Sequence, residues 1–323
     1  RLEDCFNLLK SDMRTVLPRH QTLRATIGWS YDLLTDKERM LFMRLAIFAG
    51  GWTLEAAEEV CSGNAVESSD ILDLLSQLVN KSLVLVGTAD GEARYRMLET
   101  IRQYAHNKLL EAGGVEAIRD KHMVYVVKLA EQARTELRGA QQLAWLDRLD
   151  DEYDNIRAAL NWAQESSAIV AGLRLATDLG LFWIWRVHLQ EASLTLENLL
   201  ARPMPADQIQ AFARGHLLLG QVQWQLGDKI IARTHTQESE RLCLLLGPEG
   251  KAELAYARIQ LNFFMHETIY GTNATNPIQV RQRYDEVLKL LQGTGDQWRI
   301  AGVMSSMGLN LGRCGDFIGA RQA

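Results

Sequence analysis

The residue types that could carry catalysis are all present in this 323-residue sequence, but their spacings assemble no familiar reaction centre. Gly250-Lys251 has the ending of a phosphate-binding loop, in which consecutive backbone amides cradle phosphates ahead of a lysine. That loop also needs a glycine at 245 and a Ser or Thr at 252. Leu245 and Ala252 stand there instead, so the stretch reads as a polar turn between helices. His266-Glu267 opens like a zinc-protease helix, yet Tyr270 occupies the place of the second ligand. The seven histidines (20, 106, 122, 188, 216, 235 and 266) include no i, i+4 pair that would set two ligands on one helix face. No G-x-S-x-G elbow occurs. Asn80-Lys81-Ser82 and Asn273-Ala274-Thr275 fit a glycosylation acceptor, but no secretory signal accompanies them. Cys5, Cys61, Cys243 and Cys314 stand far apart, the usage of small buried groups in a reducing, cytoplasmic compartment. The expectation is no catalytic residue, no metal site and no enzyme activity within these residues.

Charge narrows the partners. The net charge is −5, and residues 1–115 hold 13 Lys+Arg against 16 Asp+Glu, a net of −3. Phosphate contacts dominate DNA affinity, so a DNA-binding surface should be basic. The segment at 70–82, DILDLLSQLVNKS, sets Asp70 and Asp73 against Lys81 alone, and direct DNA binding is disfavoured. The apolar fraction of 47% supports real cores, and no run of about 18 apolar residues is long enough to span a membrane. The chain begins at Arg1 and ends at Ala323 inside a helical pattern, so it is expected to be part of something longer.

The elements follow from periodicity. Residues 1–19 read as the end of an upstream helical domain and a connector. Leu23, Ile27, Tyr31 and Leu34 mark one helix face. Thr35 and Glu38 form a capping box that starts a second helix, stopped at Gly50-Gly51. Thr53 can cap a third helix through Cys61, and Ile71–Val79 gives a fourth. The period then changes. Leu83–Val86 is a short β-branched run, Asp90-Gly91 suits a hairpin turn with positive φ, and 93–98 alternates. One more helix, from Ile101 to about Ala112, ends at Gly113-Gly114. Helices, a β-wing and a closing helix are the order of a winged-helix domain, placed at 20–115.

From 116 to 200 the pattern is purely helical, a linker domain. Leu143, Leu146, Leu149, Tyr153, Ile156 and Leu160 line one face of what reads as a single long helix. Asp147, Asp150, Asp151, Glu152 and Asp154 read as its solvated face. Residues 201–323 contain a repeat: GQVQWQLGDKIIAR at 220–233 aligns with GLNLGRCGDFIGAR at 308–321. The offset of 88 is two units of 44, with a midpoint near Tyr270-Gly271. Helix pairs at that period imply a tetratricopeptide-like superhelix. Its small residues would let paired helices approach, and Gly-Asp would turn the chain between them. The fold class is therefore mainly α: a winged helix with a small β-wing, a helical linker, then an α-α superhelix. Trp224, Tyr256 and Phe263 lie on first-helix patterns and are candidate partner-binding residues.

The stretches at 17–61, 94–105 (RYRMLETIRQYA), 122–133 and 145–165 resemble bacterial signal-transduction ATPases with numerous domains, relatives of the plant resistance and apoptotic ATPases. The repeat region resembles their tetratricopeptide sensor. The resemblance implies an upstream nucleotide-binding domain in the same chain that holds ATP or ADP with magnesium; no cofactor is expected within these residues. It implies that the winged helix packs on that domain in the ADP-bound state, and that a protein, peptide or small-molecule effector at the repeats releases it. Relatives often carry Met-His-Asp where the wing meets the closing helix, with the His on the ADP β-phosphate. The matching positions are Met97, Leu98 and Glu99, and Leu98 cannot donate a hydrogen bond. Arg94, Arg96 or an upstream residue could supply the charge, or Leu98 could be a buried packing residue. Two other readings stand beside the regulator: a nucleotide-independent interaction scaffold, and a DNA-binding regulator acting through this winged helix.

Overall fold

The computed structural model describes residues 18–89, 92–268, 276–292 and 295–323. The Asp90-Gly91 turn, the Tyr270-Gly271 midpoint and nearly all of the 1–19 connector lie outside the described residues. The chain falls into two compact units. The first comprises the chain up to Val126 with Asp150–Ala159; the second comprises Val127–Leu149 and Leu160–Ala323.

In the first unit, α1 (Pro18–Asp32) leads to α2 (Asp36–Leu45), whose start is fixed by the capping box. Glu38 N donates to Thr35 Oγ1 at 3.4 Å and Thr35 N donates to Glu38 Oε2 at 2.7 Å. Two orphan amides of the first turn are thereby satisfied. The strand β1 (Gly51–Thr53) follows, then α3 (Leu54–Cys61), capped by Thr53, which accepts from Ala56 N at 3.2 Å. The buried Arg44 guanidinium donates to the carbonyls of Cys61 and Gly63, both at 2.6 Å, and so satisfies the far end of α3. A short turn at Ser68–Asp70 precedes α4 (Ile71–Asn80). Strands β2 (Leu85–Ala89) and β3 (Glu92–Arg96) form the wing, and α5 (Glu99–Ala112) closes it. The sheet is antiparallel in the order β1-β3-β2. Leu41, Phe42, Leu45, Trp52, Ile71, Leu75 and Leu78 are fully buried and form the core of the unit.

Two sequence expectations shift here. The apolar run at Leu83–Val84 is buried below the end of α4 rather than paired, so the ladder begins at Leu85. The β1 strand was not expected: three residues are too few to show a period.

The helix α6 (Val115–Glu136) runs on, followed by α7 (Gln142–Asp151) and α8 (Tyr153–Glu165). The single long helix expected across 143–160 is therefore two. The chain breaks at Glu152, whose side chain is buried, and Leu143 is 73% exposed, off the buried face. In the second unit, α9 (Ile169–Asp178), α10 (Gly180–Trp185) and α11 (Leu189–Leu200) pack Phe182 and Trp183 fully inside. The pairs α12 (Ile209–Leu226) and α13 (Lys229–Leu246), α14 (Lys251–Thr268) and α15 (Pro277–Leu291), and α16 (Gln297–Arg313) and α17 (Phe317–Gln322) complete it.

The repeat signature acts as the spacing implied. A Cβ on Gly220 would strike Thr236 Oγ1 and approach Ala232 O at 3.0 Å, so α12 and α13 touch through the missing side chain. Gly227 and Gly315 hold φ of +94° and +82°, open to glycine and strained for other residues. Asp228 and Asp316 then cap the next helices, accepting from Ile231 N at 2.9 Å and Gly319 N at 2.8 Å. Gly295-Asp296 repeats the device before α16, with Asp296 accepting from Arg299 N at 3.0 Å.

Candidate functional site

Residues 94–105 join wing to helix, and their alternation decides which side chains face outward. Tyr95 and Met97 are buried, whereas Arg96 and Leu98 are exposed. Leu98 is 53% exposed and sits at the cap position of α5, where it offers no side-chain hydrogen bond to the first amides. The reading of Leu98 as a buried packing residue is thus corrected: β3 ends at Arg96, so Leu98 stands at the helix start and not on the sheet's inner face. Glu99 opens α5, where a carboxylate suits the helix dipole. It accepts from Arg102 Nε and Nη2, both at 2.8 Å, and from Gln103 Nε2 at 2.8 Å. Those donors hold its carboxyl below the ordinary value against the opposing effect of burial. Met97, Leu98 and Glu99 thus form one junction, but only the last two reach its surface.

Of the two arginines that could meet a phosphate there, Arg94 is already engaged. Its Nη1 donates to Glu152 Oε1 at 2.7 Å, and its Nη2 donates to Asp151 O at 2.6 Å and Gly51 O at 3.2 Å. Asn155 completes the network. Its Nδ2 donates to Glu152 Oε2 at 2.7 Å and Gly51 O at 2.8 Å, and its Oδ1 accepts from Ala49 N at 3.0 Å. Glu152 and Asn155 are buried, so each needs these partners; breaking a buried pair costs ~3–5 kcal/mol. Gly51 is required because a Cβ there would lie 2.9 Å from both Arg94 Nε and Tyr95 O. Beside the network, Phe48 stacks on Trp52 at 5.4 Å and meets the buried His122 edge-on at 5.4 Å. Burial pushes His122 down to about 4, with Asn155 opposing. Arg96 is exposed, with no carboxylate partner among the described residues.

Sequence reasoning missed Glu152 and Asn155. Glu152 looked like one more solvated acid in a run of five, and no local pattern ties it to Arg94, which lies 58 residues earlier. The partner-binding candidates fare unevenly. Tyr256 is half-buried on α14, and burial raises its phenol above the ordinary value. Trp224 is half-buried at the end of α12 with the Lys229 ammonium 5.2 Å from its ring. The Phe263 side chain lies outside the described residues.

The outward face of α4, the helix that reads DNA in many winged helices, presents Leu72, Asp73, Ser76, Gln77 and Asn80. Nearby cations are paired: Lys81 to Glu38 at 2.6 Å and Lys37 to Asp70 at 2.7 Å. Among the described residues, no three His, Cys, Asp or Glu converge as a metal site, and no helix is long and apolar enough to cross a membrane.

Residues 34–110 match the family described as winged helix-turn-helix domain. A protein of Mycobacterium tuberculosis that bears the name of an HTH-type transcriptional regulator is 40% identical over 199 residues, covering 62% of this chain and 22% of that protein. A second M. tuberculosis protein, named only as uncharacterised, is 40% identical over 118 residues, 36% of this chain and 30% of its own length. The chain thus spans under a third of the curated relatives it matches. A crystal structure of a signal transduction ATPase with numerous domains and a tetratricopeptide repeat sensor, from Pyrococcus horikoshii, aligns over 97% of this chain and 46% of that one. The TM-score is 0.47 and the identity 12%.

Proposed function

We propose that this chain is the regulatory part of an ATP-dependent transcriptional regulator. The winged-helix unit acts as the nucleotide-state switch and the helical repeats act as the sensor of a protein, peptide or small-molecule effector. Catalysis of ATP hydrolysis belongs, on this reading, to a nucleotide-binding domain elsewhere in the same protein, with magnesium. The regulatory role itself is supported by the winged helix-turn-helix match and the name of the 40%-identical relative.

The observation that carries the switch reading is the exposed junction. A leucine 53% exposed at a helix cap, beside an exposed arginine, leaves the junction open for a neighbouring domain to cover. With Leu98 unable to donate, the closed state would rest on packing and on Arg96 rather than on a histidine. In the whole protein, Leu98→His should slow ADP release, measured by displacement of a fluorescent ADP analogue. A change in melting temperature alone, with release unchanged, would place the junction away from nucleotide.

The match to a helix-turn-helix family favours a second reading, direct DNA binding by this unit. The α4 face argues against it, because its one charged side chain, Asp73, is acidic. A salt-titrated gel shift with duplex DNA separates the two: tight binding that weakens steeply with salt would favour DNA reading.

A further inference from the structure

The second unit contains a cavity of about 90 Å³ whose walls carry more positive than negative charge. Arg134 of α6, Arg138 in the turn that follows it, Arg214 of α12 and Arg299 of α16 reach it, against two lining carboxylates, Asp178 and Glu253. Those carboxylates are already committed. Asp178 Oδ1 lies 3.2 Å from Arg134 Nε and 3.1 Å from Arg214 Nη2, and Glu253 Oε1 lies 3.9 Å from Arg214 Nε. Arg299 is held by Asp296, its own neighbour three residues back, at 3.3 Å. Arg138 has no carboxylate partner among the described residues. Its guanidinium lies 4.5 Å from the centre of the Trp298 ring, and its buried Nε has no hydrogen-bond partner.

The arrangement is electrostatically incomplete. Burial, reinforced by the cations of Arg299 and Arg134 and only partly offset by the Asp296 carboxylate and Tyr256, holds the Arg138 guanidinium below its ordinary value. Burial likewise raises the Asp178 carboxyl although Arg214 and Arg134 oppose it. A half-buried guanidinium whose nearby carboxylate, Asp296, is already paired with Arg299 is only partly compensated, and partial compensation of a cation withdrawn from water costs free energy. A guanidinium with a spare donor beside an aromatic face suits a planar anion: the fork pairs with two oxygens, and the ring stacks on the rest. The volume admits a group the size of a carboxylate or phosphate and is far below the ~300 Å³ of a drug-sized pocket.

We propose that this cavity binds the oxyanion group, carboxylate or phosphate, of a small organic molecule, held by Arg138 and Arg299, with a planar portion against Trp298 and Tyr256. The inference deepens the sensor half of the proposed function and rests on that reading for its biological meaning. The binding itself requires no nucleotide, so its failure and that of the switch are read separately.

The test uses the 323-residue chain with phenyl phosphate, benzoate and inorganic phosphate at matched ionic strength, followed by calorimetry and by quenching of Trp298. The Trp298 signal is isolated as the difference between the parent chain and Trp298→Phe. The expected result is saturable binding of at least one probe. It should weaken about tenfold in Arg138→Gln and in Arg299→Gln, and stay unchanged in Arg321→Gln, which does not line the cavity. A preference for either aromatic probe assigns the carboxylate or the phosphate class, and inorganic phosphate binding as well as phenyl phosphate removes the planar portion. Should Arg138→Gln fail to fold by circular dichroism, Arg299→Gln and the Trp298 signal decide. No saturable binding by any probe, or binding that survives in the arginine variants that fold, overturns the proposal.

Discussion

Two histidine sites make the folded chain sensitive to acid. His122 is enclosed against Phe48, and burial pushes it down to about 4. His216 and His235 face each other with Nδ1 atoms 2.9 Å apart, a contact in which one ring donates and the other accepts. Burial first, and then the neighbouring imidazole, push His216 down to about 4 as well. The sign follows from proton uptake. Between about pH 4 and 6.5 the unfolded chain binds protons that the folded chain refuses, so this stability is complete above 6.5 and is lost as pH falls. At pH 5 the His122 contribution should have fallen by about 2 kcal/mol. Urea midpoints at pH 7 and pH 5 measure the loss, and His122→Gln should show a smaller difference than the parent chain.

The joints between helices are where sequence and structure agree most closely. Gly220 is the point of contact between α12 and α13, so Gly220→Ala should lower the stability of the second unit by roughly 1–3 kcal/mol through overpacking against Thr236. A melting temperature unchanged by that substitution would mean the helices separate freely there. The capping box of α2 and the aspartate caps were legible in the sequence because each is built from residues at most four apart. The wing hairpin and the α5 stop were legible for the same reason: Gly113 and Gly114 take φ of +74° and +89°. What was not legible depends on distance along the chain. The break between α7 and α8 exists because Glu152 turns inward to Arg94, and a helical period carries no sign of a partner 58 residues away. The cavity is hidden likewise, since Arg138, Arg214 and Arg299 are ordinary surface residues until one turn and two separate helices bring them together.

At the scale of the molecule, the sensor and switch readings meet in one prediction. Removing residues 201–323 from the whole protein should change its ATP turnover or its assembly state, measured by phosphate release and by light scattering. Behaviour identical to the parent would leave the repeats without a regulatory role. The construction of those repeats also bears on how such a protein can change over generations. At Gly227, Gly295 and Gly315 the backbone bends in open space, and the following aspartate caps the next helix from within. A bend that touches no neighbour carries no address. The turn itself constrains little, so the array can be lengthened or shortened at such a place wherever the faces of the joined helices still pack. The number of repeats becomes an adjustable quantity, set by joints that need nothing from their neighbours.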